Sequence, residues 1–178
     1  MAYDVRAESR RLIEHGLPPG PVRLSRRHRF APVAVDVADD VAATWFVRRG
    51  VGCYWDEFHL FARDDDGWRL LGGGGGSSSG MFSSAAFAAA REELASDWIQ
   101  VDGGSSVRRD SSTLTPWRDR WIHSASLLVG RAVTTVAVAG RVLRVPPHGH
   151  LVVVWGDRRP PSVSARDATG RELTTRRL

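Results

Sequence analysis

Apolar residues recur along this chain with two periods. In residues 2–15, Val5, Leu12 and Ile13 fall on one side of a helix, which predicts a short N-terminal helix. Gly16 stands where a left-handed residue closes such a helix, and Pro18-Pro19 prevents its continuation. From Val22 the period is two. Val33, Val35 and Val37 alternate with Ala34, Asp36 and Ala38, as in a half-buried strand. Ala38-Asp39-Asp40 is a turn signal, and Ala42 to Val47 is the returning strand. A second hairpin runs from Cys53 to Ala62, turns at Asp64-Asp65-Asp66-Gly67 and returns from Trp68 to Leu71. On its first arm Trp55, Glu57, His59 and Phe61 share one face, and Tyr54, Asp56, Phe58 and Leu60 the other.

Residues 72–80 are only glycine and serine, which predicts a flexible surface loop. Residues 83–95 are rich in alanine, and Phe87, Ala90, Leu94 and Trp98 form a helical stripe, so an internal amphipathic helix is expected near 83–95. The last third is again strand-like. Trp121 to Val129, Val133 to Val138, Arg141 to Val145, Ser162 to Asp167 and Arg171 to Thr175 read as strands joined by short turns. Leu151 to Trp155 is apolar throughout, as in a central strand covered on both faces. Short strands at this spacing suggest a sandwich or a barrel. The expected fold is therefore mainly β: an antiparallel β-sandwich, with an immunoglobulin-like form as one version. One domain over 1–178 is expected. It comprises an N-terminal helix and Pro-rich linker (1–20), a first β segment (22–71), the Gly/Ser loop (72–80), and a helix with a second β segment (83–178).

Composition narrows the chemistry. Every basic residue is arginine; the 178 residues contain no lysine and no asparagine. This excludes a P-loop lysine, a kinase strand lysine, lysine Schiff-base catalysis, a Cys-His-Asn triad and N-glycosylation. The pI of 10.7 is inflated by the same absence, because little titrates between histidine and arginine; the formal net charge of +5 is the fairer measure. The single cysteine, Cys53, has no partner for an internal disulfide and reads as a small buried hydrophobe. The polar N-terminus and the absence of a long apolar run point to a cytoplasmic chain with no membrane partner.

Several short patterns suggest chemistry, and each has a plainer explanation. Gly76-Ser77-Ser78-Ser79-Gly80 matches G-x-S-x-G, with Ser78 as nucleophile, Asp97 or Asp102 as acid and His148 or His150 as base. The preceding glycines are loop composition, and a Gly/Ser run generates this match by chance. Gly75 and Gly80 have P-loop spacing, but Met81 stands where lysine is required. His148-Gly149-His150 could hold a metal with Glu57 or His59, yet Pro146-Pro147-His148-Gly149 also reads as a turn. Asp64-Asp65-Asp66-Gly67 lacks the ligand spacing of a calcium loop and fits a hairpin tip. Arg23, Arg26, Arg27, His28 and Arg29 form the densest basic cluster, and Arg48-Arg49, Arg108-Arg109, Arg118 and Arg120 extend it near Trp45, Trp117 and Trp121. Arginine beside aromatics on a β surface could grip single-stranded nucleic acid; the twenty interspersed acids dilute that field. Trp55, Trp68 and Trp155 read as core.

The stretches Trp55 to Phe61, Gly67 to Leu71 with its glycine run, Val145 to Trp155 and Ala165 to Leu173 resemble a group of uncharacterised actinobacterial β-rich proteins. The resemblance implies a bacterial origin and a β-rich fold, and it carries no functional residue onto this chain. The reading that follows is a non-catalytic binding or interaction domain for a protein or small ligand, with a homodimer as one possibility. No residue is assigned a catalytic, cofactor or metal role. The alternatives are an enzyme using Ser78 or His148 and His150, and nucleic-acid binding through the arginine cluster.

Overall fold

A computed structural model describes residues 4–78, 84–109, 121–156 and 159–178. Helix α1 (Val5–His15) begins at Asp4, whose side chain accepts from the backbone N–H groups of Arg6 and Ala7, and ends at Gly16 with φ 76°. Four strands follow in sequence across the first sheet: β1 (Phe30–Ala38), β2 (Val41–Arg49), β3 (Tyr54–Asp64) and β4 (Gly67–Ser78). Then come α2 (Ser84–Glu93), β5 (Ile99–Arg108), β6 (Trp121–Val129), β7 (Thr135–Val138), β8 (Arg141–Arg144), β9 (His150–Trp155), β10 (Ser162–Arg166) and β11 (Glu172–Arg177). The second sheet has the order β5-β6-β9 and the third β11-β10-β7-β8. Every pairing is antiparallel.

The fold is mainly β, and its sheets pack as a sandwich with the second sheet in the middle. One face of that sheet, with Ile122, Val152 and Val154, joins Val33, Val41, Trp45, Val47 and Leu60 of the first sheet in one core. The other face, with Leu127, Val129, Leu151 and Val153, joins Val136, Val138 and Val163 of the third sheet in a second core. This is why Leu151 to Trp155 has no polar position: alternate residues of β9 enter two different cores. The first sheet is a meander, which differs from the Greek-key order of an immunoglobulin domain. Helix α1 covers its outer face, where Leu12 is buried and the hydroxyls of Ser9 and Thr44 pair at 3.0 Å.

The valine alternation in β1 is inverted over its second half. The register shifts between Pro32 and Ala34, so Val33 and Ala34 both enter the core. Beyond this bulge Asp36 points inward and Val37 outward. Trp55 is likewise on the outer surface, 39% exposed, with the Arg48 guanidinium 5.7 Å from its ring.

The predicted flexible loop is corrected at 72–78. These residues form the second half of β4, paired with β3 from Leu60↔Gly72 to Tyr54↔Ser78; Ser79 and Gly80 lie outside the described residues. Close approach accounts for glycine at two of these positions. A Cβ at Gly75 would lie 1.8 Å from the Asp56 carbonyl oxygen, and one at Gly73 2.3 Å from that of Phe58. Gly75→Val is therefore expected to lower stability by about 2–3 kcal/mol, the upper range for forced overpacking. Urea unfolding checks this, and a cost under about 0.5 kcal/mol would contradict the close approach.

Candidate functional site

The first and second sheets do not pack tightly along their whole length. Toward β4 and β5 they separate around a cavity of about 590 Å³. Its walls are unusually bare. β4 supplies Gly74 and Gly75, β5 supplies Gly103, Gly104 and Ser105, and β6 supplies Ser124 and Ser126. A Cβ at Gly72 would lie 3.2 Å from Val107 Cγ2, and one at Gly74 4.0 Å from Ser105 Oγ, so β5 lies beside β4 at the rim of the cavity. A second bulge, between Val101 and Gly103, interrupts β5 at Asp102, which also lines the cavity.

The remaining wall is aromatic and polar. Trp45 and Phe58 stack with centroids 4.8 Å apart. The Trp45 indole N–H donates to Asp56 Oδ1. Burial raises the Asp56 carboxyl to about 6 against the lowering effect of this bond, and the nearby charges of Glu57 and Asp102 push the same way. His150, the first residue of β9, meets Trp45 edge-on at 5.1 Å and Phe87 of α2 at 4.7 Å. Among the described residues neither nitrogen of its buried ring has a hydrogen-bond partner. Burial, then His148 and Arg91, depress its proton affinity to about 3, so it is neutral in ordinary buffers.

Arg91 holds this corner together. From the last turn of α2 its guanidinium donates to the carbonyls of Val129, Gly130, Val133, Pro146 and Pro147. These bonds fix the turn before β9, in which Gly149, at φ 77°, leaves no room for a side chain beside Arg91. His148 Nδ1 accepts from the His150 N–H at 3.2 Å, and burial with the Arg91 charge lowers its pKa to about 4. The expected turn at Pro146–Gly149 is present, with Gly149 N–H donating to the Pro146 carbonyl.

The structure separates the proposed metal ligands. Glu57 and His59 occupy the opposite face of β3 from Asp56 and Phe58, with His59 against Phe46 on the outer side of the sheet. They do not converge with His148 and His150, and no group of three metal-ligating side chains occurs among the described residues. Ser78 ends β4 opposite Tyr54, and its side chain lies outside the described residues. Asp97 is exposed in the turn before β5, away from the cavity lining. Asp65 and Asp66 form the hairpin tip between β3 and β4. The arginines divide. Those of 23–29 and 48–49 line one groove; Arg109 pairs with Asp40, Arg108 lies over Trp121, and Arg118 and Arg120 are outside the described residues.

Asp56 and Phe58 were readable as neighbours on one strand face. His150 was readable as a histidine, but not as a cavity residue. No family model matches the chain, and no curated protein or solved structure matches it either. No described helix is long and apolar enough to cross a membrane.

Proposed function

We propose that this chain is a non-catalytic binding domain for a small, largely apolar ligand held between the first and second sheets. The observation that carries this reading is the unpartnered His150 imidazole, buried at the wall of a cavity whose apolar side is formed by Trp45, Phe58 and Leu128. A polar ring left without partners costs folding free energy, on the order of 1–3 kcal/mol for each unmet group. A ligand that hydrogen-bonds the ring recovers that cost only in the bound state. The volume of about 590 Å³ falls in the range of small-molecule sites. The bare strands provide the space, the stacked aromatics an apolar wall, and neutral His150 a donor or an acceptor according to tautomer. Asp56, ionised above about 6, and Asp102 disfavour an anionic ligand.

Nile red, a neutral apolar dye, is a suitable probe. It is expected to bind at one site per chain with a blue-shifted emission. Gly74→Leu extends a side chain from a position where an added Cβ makes only an ordinary contact, with Ser105 Oγ at 4.0 Å, and is expected to weaken binding at least tenfold, equal to about 1.4 kcal/mol, while far-UV circular dichroism is unchanged. Equal affinity in this variant would remove the cavity as the binding site.

A further inference from the structure

A second concavity, of about 1060 Å³, lies between α1, the linker that follows it and the end of the first sheet. The linker is constrained rather than loose. Pro18, Pro19 and Pro21 fix their own backbone angles. The Ser25 Oγ accepts from the N–H groups of Arg27 and His28, and Ser25 N–H donates to the His28 carbonyl. Arg49 N–H donates to the Arg29 carbonyl, and the Arg29 guanidinium returns a bond to the Arg49 carbonyl. The turn carrying the basic cluster is thus pinned to the end of β2.

The charge in this groove is one-sided. The four arginines of residues 23–29 line it together with Arg11, Arg48 and Arg49. Glu8 is its single acidic lining residue among those described, and Glu8 already pairs with Arg11 at 2.9 Å. Arg48 pairs with Glu57 at 2.7 Å. Among the described residues Arg23, Arg26, Arg27, Arg29 and Arg49 have no carboxylate partner. Crowding like charges around a concavity is unfavourable unless an anion enters it. The guanidinium fork matches phosphate oxygens in pairs, and it stays charged at any working pH. The groove floor also has an apolar part, formed by the prolines and Phe30.

We propose that this groove binds a compact polyphosphate anion carrying an apolar or planar group, as a nucleoside polyphosphate does. The phosphates would lie among the linker arginines and the flat group on the prolines and Phe30. A long nucleic-acid strand fits less well, because the basic residues do not continue as a track: Arg109 is engaged by Asp40, and Arg108 by Trp121. The site is separate from the inter-sheet cavity and shares no lining residue with it; in the His148-Gly149-His150 turn His148 lies on the groove and His150 on the cavity.

Calorimetric titration of the full chain with ATP, inorganic tripolyphosphate and adenosine tests this. ATP and tripolyphosphate are expected to bind saturably at one site, with ATP the tighter and adenosine at least tenfold weaker than ATP. Affinity should fall steeply with salt. The double variant Arg26→Ala/Arg27→Ala is expected to lose at least tenfold for ATP while keeping Nile red binding. Arg26→Lys/Arg27→Lys, which retains the charge, should recover part of that loss. Unchanged ATP affinity in the alanine variant overturns the proposal. So does binding of a twenty-nucleotide single strand with none of tripolyphosphate.

Discussion

Asp36→Ala is expected to lower stability by about 3–5 kcal/mol, the range for removing one partner of a buried ion pair. Asp36 lies in β1 and is 2% exposed. Its carboxylate accepts from Arg141 Nε and Nη2 of β8 at 3.0 and 2.6 Å, and from the Val154 N–H of β9 at 2.8 Å. Arg141 Nη2 also donates to the Val154 carbonyl at 2.6 Å. One carboxylate therefore ties together strands from all three sheets. Alanine leaves a partly buried guanidinium without its counter-charge and the Val154 N–H without an acceptor. Against a typical total of about 5–15 kcal/mol, this loss is a large fraction. Urea unfolding with a common slope measures it. Replacing both partners, as Asp36→Leu/Arg141→Met, is expected to recover much of the loss, because no lone charge remains. A single-variant cost below about 1 kcal/mol would show that the pair is solvated like a surface bridge.

The inward position of Asp36 was not readable from the alternation. Val33, Val35 and Val37 present themselves as the buried side of a regular strand, and only the bulge beside Pro32 reverses this. A single extra residue changes which face each later side chain takes. Strands with large side chains on a regular pleat were legible. β6, β9 and the hairpin of β10 and β11 lie within a residue or two of where apolar runs and turn residues place them. The Asp39-Asp40 and Asp65-Asp66 turns are also found. Helix α2, which buries Phe87, was legible from its stripe, although Trp98 at the end of that stripe is outside the helix and 49% exposed.

The missed strand segments share a property. The second half of β4 reads Gly-Gly-Gly-Gly-Gly-Ser-Ser, and β5 contains Gly103-Gly104-Ser105-Ser106. Periodicity is a signal carried by side chains, so a strand without them resembles a loop. Those same segments line the inter-sheet cavity. The composition that hides the strands is also what leaves the space. The bare wall and the low-complexity sequence are one feature seen at two levels. The histidine pair behaves similarly. His148 and His150 are two residues apart, but His150 takes its place at the cavity through pairing with Leu128 of β6 and through a preceding turn whose Pro146 and Pro147 carbonyls are held by Arg91 of a distant helix.

Acid sensitivity should reveal the buried imidazole. Folding lowers the pKa of His150 from 6.5 to about 3 and that of His148 to about 4. Below pH 6.5 the unfolded chain takes up protons that the folded chain refuses, so each ring makes stability fall as pH drops from about 6.5 toward 4. Asp56 acts in the opposite direction. Its carboxyl is raised from 3.8 to about 6, so between these values the folded chain holds the extra proton and gains stability as pH falls. It offsets part of the loss from the two rings. His150→Leu separates the contributions, because it removes one ring and leaves the others. At pH 7.5 the variant is expected to equal or exceed the natural chain in stability, since an unpartnered polar group is replaced by an apolar one. Between pH 7.5 and 4.5 its advantage should grow by about 2–3 kcal/mol, from about 1.4 kcal/mol for each pKa unit. Urea midpoints at both values measure this, with His28→Leu as an exposed-histidine control. A gap that stays constant over this interval would mean that His150 is protonated in the folded chain, and hence that it is not the neutral, unpartnered wall of the cavity. A widening gap together with weaker ligand binding by the variant would link the energetic cost of this residue directly to its use.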